Sequence, residues 1–138
     1  MRLWHKALID VLPRQQLLGQ WRECCCIAKN IAMYGTPNHI LVNRILNYPL
    51  DDFVTYTVWV QGEMERRGYI CDCVAFFKWI NQRAGLRDFG EVFYDWHNEK
   101  YLQQCYFNLE EKYDCGGITD EEWGYICSRC NEIMEGYV

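Results

Sequence analysis

The chain contains three prolines, and each stands where a helix would begin. Proline suits the first turn of a helix, where its missing N–H is not needed, and it disrupts a helix interior. Pro13 opens the first predicted helix, which ends near Tyr34-Gly35. The apolar positions of this segment recur every three or four residues, at Leu17, Trp21, Cys24 and Ala28. Such spacing predicts an amphipathic helix.

Similar start and stop signals predict five further helices. Thr36-Pro37 starts the second helix, Pro49 ends it and starts the third, and Gly68 caps the third. Residues 55–60 are rich in β-formers, but the 3.6-residue period of the longer window favours a helix. The remaining predicted helices run from Cys73 to Ala84, from Glu99 to Tyr113, and from a Thr119/Glu122 capping box toward the C-terminus.

This pattern predicts an all-α protein, a compact bundle of about five to six helices in one domain over residues 1–138. Half of the residues are apolar and 16% are aromatic, which is enough for a core and excludes a disordered chain. The aromatic segment Asp88–His97 is predicted to be irregular, with Trp96 and His97 in the core rather than stacked on a base.

The chain has no run of about 18 uncharged apolar residues, and its N-terminus lacks the pattern of a signal peptide. We therefore expect a soluble cytoplasmic protein without a membrane partner; a viral or a bacterial origin stays open.

The charge of the chain is unevenly distributed. The formal net charge is -5, yet residues 1–50 hold six basic and two acidic side chains. Residues 70–138 hold six basic and thirteen acidic side chains. A polyanion would therefore contact the N-terminal part. The acidic half is expected to be a solvated surface or, alternatively, a surface for a protein partner.

Nine cysteines are present, an odd number that cannot pair fully within one chain. In a reducing cytosol most of them are expected to be thiols that behave as small apolar residues. A zinc site built from Cys71, Cys73, Cys127 and Cys130 stays open as an alternative, and so does a Cys-His nucleophilic pair. We predict no metal and no cofactor.

The segment LPRQQLLGQWRE places a fixed positive charge beside a carboxylate on the first helix. If Trp21 faces the core, Glu23 lies about 200° further round the helix and faces outward or into a cleft. Gly19, one turn before Glu23, would leave room beside the carboxylate. With Arg22, this arrangement could hold a reacting cation next to a phosphate. It is also typical of an exposed surface pair.

The first half of the chain contains a set of short motifs: MRLW at 1–4, LPRQQLLGQWRE at 12–23, NHILVN at 38–43, YPLDDF at 48–53 and EMERRGY at 63–69. Together they resemble the pyrimidine-dimer DNA glycosylase family typified by phage endonuclease V. The resemblance covers about residues 1–70. It implies a compact all-helical fold whose N-terminal segment is packed among the helices.

In that family the nucleophile is the protein's own α-amino group, which implies the amine of Met1 here. An α-amine has a pKa near 7.7–8.0, against about 10.4 for lysine, so far more of it is neutral at pH 7. The resemblance implies that this amine attacks the anomeric carbon of the damaged nucleotide, expels the base and leaves an imine that permits β-elimination. Glu23 would stabilise the developing sugar cation, and Arg2 and Arg22 would hold phosphate.

The same resemblance assigns two more residues to DNA binding. Arg14 belongs to the LPRQQ motif, and His39 belongs to NHILVN near the predicted start of the second helix. His39 would bind phosphate or orient a water, or alternatively be a polar residue that starts a helix. The expected partner is damaged double-stranded DNA, and the expected oligomeric state is a monomer.

The chain also departs from the family pattern. Arg2 is too bulky for the usual removal of Met1, Cys26 stands where the family has a basic residue, and the tail CNEIMEGYV lacks the family's aromatic and basic residues. Lost phosphate contacts weaken DNA binding. Two alternative functions therefore stay open: a non-catalytic helical binding protein on the same fold, and an enzyme that modifies free nucleotides or bases.

Overall fold

The structure is a computed structural model that describes residues 1–80 and 85–136. The described residues form two 3-10 helices, Lys6–Val11 and Asn43–Asn47, and five α-helices: α1 (Arg14–Tyr34), α2 (Leu50–Arg66), α3 (Val74–Phe77), α4 (Glu99–Asp114) and α5 (Asp120–Gly136). Since these residues contain no strand, the all-α prediction is confirmed. The segment 55–60, rich in β-formers, lies within α2.

The longer helices begin and end at the signals predicted for them. Helix α1 ends at Gly35, whose φ of 74° is the left-handed conformation that glycine adopts without strain, and whose N–H donates to the Ile31 carbonyl. Helix α2 starts directly after Pro49. The capping box of α5 is reciprocal: the Glu122 N–H donates to the Thr119 hydroxyl, and the Thr119 N–H donates to the Glu122 carboxylate, both at 3.1 Å.

The prediction of a second α-helix between Thr36-Pro37 and Tyr48 is wrong. Residues 36–42 are irregular, and a 3-10 helix follows at Asn43–Asn47. Asn38 adopts a φ of 57°, which interrupts a right-handed helix. The Thr36 hydroxyl accepts from the Asn38 N–H at 3.1 Å, and the Asn43 side chain accepts from the His39 N–H at 2.9 Å. These side-chain acceptors replace the carbonyls that a helix would supply.

The predicted helix from Cys73 to Ala84 is shorter than expected. Helix α3 ends at Phe77, and residues 81–84 lie outside the described residues. The Trp79 N–H turns to the Phe76 carbonyl at 3.0 Å, which is the tighter 3-10 spacing. Phe76 and Ile80 are both buried in the core.

The N-terminal segment is packed among the helices, as the resemblance implied. Leu3 and Trp4 are buried, and the 3-10 helix Lys6–Val11, which was not predicted, follows directly. The His5 ring caps this helix by accepting the Ala7 N–H at 3.1 Å. The chain start is therefore part of the core and not a free arm.

One cluster of buried side chains runs through the described residues. Its largest fully buried members are Trp96, Tyr56, Phe53, Phe76 and Phe93. Helix α1 packs against α2 and α3, and α5 packs against α4 and the first 3-10 helix. Trp96 and His97 lie in this core as predicted, although the segment around them is irregular. In residues 1–80 and 85–136, no helix is both long and apolar enough to cross a membrane.

Candidate active site

The extended chain start is bonded to three different helices by side chains. The Arg2 N–H donates to the Glu23 carboxylate of α1 at 3.2 Å. The Leu3 carbonyl accepts from the Tyr101 hydroxyl of α4, and the Trp4 carbonyl accepts from the Tyr56 hydroxyl of α2 at 2.6 Å. These bonds fix the position of the chain start relative to Glu23.

Gln20 is the central polar residue of this network and is 1% exposed. Its oxygen accepts from the Trp4 N–H at 2.7 Å and lies 3.0 Å from the Tyr56 hydroxyl, whose single proton it shares with the Trp4 carbonyl. Its NH2 group donates to the Arg2 carbonyl at 3.0 Å and lies 3.5 Å from the Glu23 carboxylate. Gln20 therefore orients the chain start and the carboxylate together.

Burial raises the pKa of both tyrosine hydroxyls in the network. The pKa of Tyr56 is raised well above its usual value chiefly by desolvation, and burial likewise raises that of Tyr101. Both hydroxyls therefore keep their protons at neutral pH and act as hydrogen-bond donors to the backbone. The network carries no extra negative charge that would compete with Glu23.

Glu23 is half-buried on α1, on the side of the helix that faces the chain start. The neighbouring Met1 is 36% exposed. Its amine is separated from the Arg2 nitrogen only by the Met1 Cα and carbonyl carbon. Among the described residues, no ion pair joins that amine to the Glu23 carboxylate, whose bond is with the Arg2 N–H instead.

Arg22 is exposed beside Glu23 and makes no hydrogen bond or ion pair within the part of the chain that the structure describes. With no partner among the described residues, its guanidinium can bind an anion. Gly19 was expected to leave room beside the Glu23 carboxylate, and the space at this glycine borders Arg22 rather than the chain start. A Cβ at Gly19 would meet only the Arg22 guanidinium, at 4.0 Å, and no atom of the N-terminal segment.

Arg2 connects the network to a groove. Its backbone contacts Glu23 and Gln20, while its guanidinium lies over the rings of Trp4 and Tyr101, at 5.7 and 5.8 Å from their centroids. The same side chain lines a groove of about 500 Å³ between α4 and the segment after α1. A phosphate or a sugar in this groove would therefore lie beside the chain start.

The two remaining predicted DNA-binding residues lie outside the network. Arg14 is about 14 Å from Glu23 along α1 and on the opposite face of that helix. Its N–H donates to Glu122 at 2.8 Å, and its guanidinium lies 5.6 Å from the Tyr69 ring centroid. His39 lies in the irregular segment after α1, where its ring accepts the Leu41 N–H at 3.3 Å.

A second amine near the chain start belongs to Lys6, which is buried. Burial lowers the pKa of its side chain, although Asp52 acts in the opposite direction. The ammonium donates to the carbonyls of Phe89 and Val92 at 2.6 and 2.7 Å. These bonds to two carbonyls indicate a structural role for Lys6.

The cysteines form no metal site in the described part of the chain, where no group of three or more His, Cys, Asp or Glu side chains could hold an ion. All nine are free thiols. Burial raises the pKa of Cys25, Cys71 and Cys130 to about 11, which keeps these thiols protonated at neutral pH.

Gln20, Tyr56 and Tyr101 were not predicted as site residues. One signal for Gln20 was present: it lies three residues after Leu17 and four before Cys24, on the stripe of α1 that faces the core. A polar side chain on such a stripe needs a buried partner. The two tyrosines gave no comparable signal, because their partners are backbone carbonyls far away in sequence.

The fold and this site define an all-helical protein that holds its own chain start against a helical carboxylate. A family model described as pyrimidine dimer DNA glycosylase matches residues 1–76, just over half of the chain. The chain belongs to the pyrimidine dimer DNA glycosylase family. No curated protein and no solved structure matches the chain.

Proposed function

We propose that the protein is a DNA glycosylase with coupled AP-lyase activity on pyrimidine-dimer lesions. Family membership supports the reaction class. The observation that carries the mechanism is the 3.2 Å hydrogen bond between the Arg2 N–H and Glu23. It holds the first residues of the chain against a carboxylate that can stabilise a sugar cation.

In the proposed reaction, the neutral amine of Met1 attacks the anomeric carbon of the damaged nucleotide. The bond to the base breaks, and the base leaves with the bonding electrons and takes up a proton. The nitrogen gives up one proton to the leaving base, and its lone pair then forms an iminium with the anomeric carbon while the ring oxygen takes the electron pair of its bond to this carbon and a proton from solvent. Removal of a proton from the adjacent sugar carbon expels the 3′ phosphate and cleaves the strand.

The side chains around the chain start have separate roles in this proposal. Glu23 stabilises positive charge on the sugar and the iminium. Arg22, exposed and without a partner among the described residues, binds a phosphate, and Arg2 binds a second phosphate from the groove. Arg14 and His39 contact the duplex further away. Gln20 positions Glu23 and does not touch substrate.

The test is borohydride trapping of the imine on duplex DNA that carries a pyrimidine dimer or an abasic site. We expect a covalent adduct with the wild-type protein. Glu23→Gln should lower the rate of base excision by about a hundredfold, because removing one electrostatic partner of a transition state has that effect in other enzymes. Glu65→Gln, the same change at an exposed position of α2, should retain the wild-type rate.

Peptide mapping of the adduct locates the attacking nitrogen. An adduct on the α-amine of Met1 supports the proposal. An adduct on the α-amine of Arg2, in a chain that has lost Met1, would support the same imine chemistry with a different nucleophile. An adduct on Lys6, or none on either substrate, would contradict the proposal.

A non-catalytic binding protein on the same fold is the second candidate. One observation favours it: Glu23 bonds to a backbone N–H and forms no ion pair with the Met1 amine within the described residues. The acidic first turn of α5, with Asp120, Glu121 and Glu122, would then contact a basic protein partner. This function predicts a protein complex that Glu23→Gln leaves intact and that charge reversal in the first turn of α5 disrupts.

A further inference from the structure

One of the three helices that bond the chain start lies outside the residues that the family model matches. The carbonyls of residues 2–4 accept, in order, from Gln20, Tyr101 and Tyr56. Gln20 and Tyr56 lie within the matched residues 1–76, whereas Tyr101 belongs to α4. The matched part of the chain therefore does not contain the complete set of bonds to the chain start.

Helix α4 contacts both the backbone and a side chain of the chain start. The Tyr101 hydroxyl donates to the Leu3 carbonyl, and the Arg2 guanidinium carbon lies 5.8 Å from the centroid of the Tyr101 ring. Cys105, one turn further along α4, places its sulfur 3.9 Å from a nitrogen of the same guanidinium. Residues four apart lie on the same side of a helix, so these contacts come from a single face of α4.

Tyr101 is itself held in place by its neighbours. It is 7% exposed, and its N–H donates at 2.9 Å to the Asn98 side chain that caps α4. The centroid of its ring lies 4.9 Å from that of His97 and 5.6 Å from that of Trp96. A ring packed at such distances cannot change its rotamer without displacing buried neighbours. The hydroxyl is therefore presented to Leu3 from a fixed position.

The peptide between Leu3 and Trp4 is bonded at both edges. Its N–H donates to Gln20 of α1 at 2.7 Å, and its carbonyl accepts from Tyr101 of α4. The N–H and the carbonyl of a trans peptide point in opposite directions, so two helices hold this peptide from opposite sides. A peptide bonded at one edge only can still turn about that bond. Loss of the Tyr101 hydroxyl would let this peptide tilt and would move residues 1 and 2 with it.

The contact with α4 carries no charge. Burial raises the pKa of both Tyr101 and Cys105, so both side chains are neutral in the pH range where an α-amine loses its proton. Removing the Tyr101 hydroxyl therefore changes no charge near the chain start. Its effect on a reaction of the amine would come from the position of that amine.

We infer that Tyr101 is a positioning residue for the proposed amine attack: through the Leu3 carbonyl, it holds the chain start where the amine reaches the anomeric carbon. Tyr101 acts through residues 1–3 and does not touch substrate. The rate of a reaction between positioned groups falls steeply with displacement, and a shift of about 1 Å can cost a hundredfold. The inference rests on the proposed function, because that function makes the amine of the chain start the nucleophile.

The test follows single-turnover formation of the borohydride-trapped adduct on a duplex with a natural abasic site, where base excision does not limit the rate. The protein is in excess, and its concentration and the pH are varied. Tyr101→Phe should lower the maximal rate constant per folded molecule by about tenfold, because the amine is held less precisely. The protein concentration at half-maximal rate and the midpoint of the pH profile should stay the same, since the variant removes no phosphate contact and no charge.

The matched control is Tyr113→Phe, the same change about 18 Å further along α4. The Tyr113 hydroxyl bonds to Asp120 at 2.7 Å, away from the chain start, so this variant should keep the wild-type rate constant. Urea unfolding at the assay temperature gives the folded fraction of each variant. Amide hydrogen exchange is a second measurement: in Tyr101→Phe the Arg2 amide should exchange faster, whereas amides inside α2 should keep their exchange rates.

Three kinetic results would overturn the inference: an unchanged maximal rate constant in Tyr101→Phe, an equal loss in Tyr113→Phe, or a change in the half-maximal concentration alone, which would make Tyr101 a DNA-binding residue. A uniform loss of amide protection would show a purely structural role and would also overturn it. Failure of the proposed function looks different. If the wild-type protein forms no adduct, the glycosylase proposal falls and this inference falls with it. If the wild type and Tyr101→Phe form the adduct equally fast, only this inference falls.

Discussion

The oxygen and the NH2 group of the Gln20 amide both form hydrogen bonds with the first residues of the chain. Its oxygen accepts the Trp4 N–H and shares the Tyr56 hydroxyl proton with the Trp4 carbonyl, and its NH2 group donates to the Arg2 carbonyl and lies 3.5 Å from the Glu23 carboxylate. An amide that is 1% exposed and has this many partners cannot rotate without leaving some of them unpaired. At the scale of single residues, the site depends on this side chain as much as on the carboxylate.

We expect Gln20→Leu to lower the free energy of unfolding by about 3 kcal/mol. The leucine would leave the Trp4 N–H and the Arg2 carbonyl without their partners in a buried place, and each unpaired group costs about 1–3 kcal/mol. Urea unfolding monitored by circular dichroism measures the change. Gln15→Leu makes the same substitution on the exposed face of α1 and should change stability by less than about 0.5 kcal/mol. Equal effects of the two variants would contradict this role for Gln20.

Helices proved predictable where their signals are local. The end of α1 is marked by its apolar period and Gly35, and the start of α5 is marked by the capping box of Thr119 and Glu122. The segment 36–48 has a proline start as well, but Asn38 and Asn43 supply side-chain bonds and a left-handed residue that compete with a short helix. Whether such side-chain bonds form depends on the three-dimensional position of the side chains, which a helix start signal in the sequence does not specify.

The same distinction applies to the candidate site. The position of Glu23 on the accessible side of α1 follows from the spacing of its helix, and so does the exposure of Arg22. Which backbone atom reaches the carboxylate does not follow from spacing. It depends on Gln20, Tyr56 and Tyr101, whose bonds join four parts of the chain that are far apart in sequence.

At the scale of elements, two glycine substitutions should have opposite effects. Gly35→Ala places a Cβ at a φ of 74°, which costs about 1 kcal/mol of stability. Gly124→Ala lies inside α5, where an added Cβ meets no atom within 4 Å, and alanine favours the helix by about 0.5–1 kcal/mol. Thermal unfolding of both variants against the wild type measures the difference. A stabilising Gly35→Ala would show that α1 does not need its left-handed cap.

At the scale of the whole molecule, two buried histidines connect the chain start, which carries His5, with the segment before α4, which carries His97. The rings of His5 and His97 lie 5.2 Å apart and are 2% and 3% exposed. Each Nδ1 accepts a backbone N–H, from Ala7 and Lys6 respectively. The neutral rings therefore carry their protons on Nε2, and neither Nε2 has a partner among the described residues. A second proton would break a backbone hydrogen bond.

Burial is the largest cause of the low pKa of both rings. It lowers the pKa of His5 to about 4 and, with the charges of His5 and Lys6, brings that of His97 well below its usual range. In the unfolded chain both rings take up protons near pH 6.5. The unfolded state therefore binds more protons below that pH, and acidification favours unfolding.

We expect the free energy of unfolding to fall by about 1 kcal/mol for each of the two histidines between pH 7 and 5.5. Burial opposes the charged forms of Asp10, Glu63 and Glu122, but hydrogen bonds to each carboxylate outweigh it and lower its pKa. Their contribution is therefore lost mainly below about pH 4.5, outside this window.

Urea unfolding at both pH values measures this loss of stability. The variant His97→Phe should halve the loss, because it keeps an aromatic ring in the core but removes one of the two buried titrating groups. Tyr94→Phe, in the same segment, removes no histidine and should retain the full loss. If His97→Phe shows the same loss as the wild type, protonation of this buried pair does not link the stability of the fold to pH.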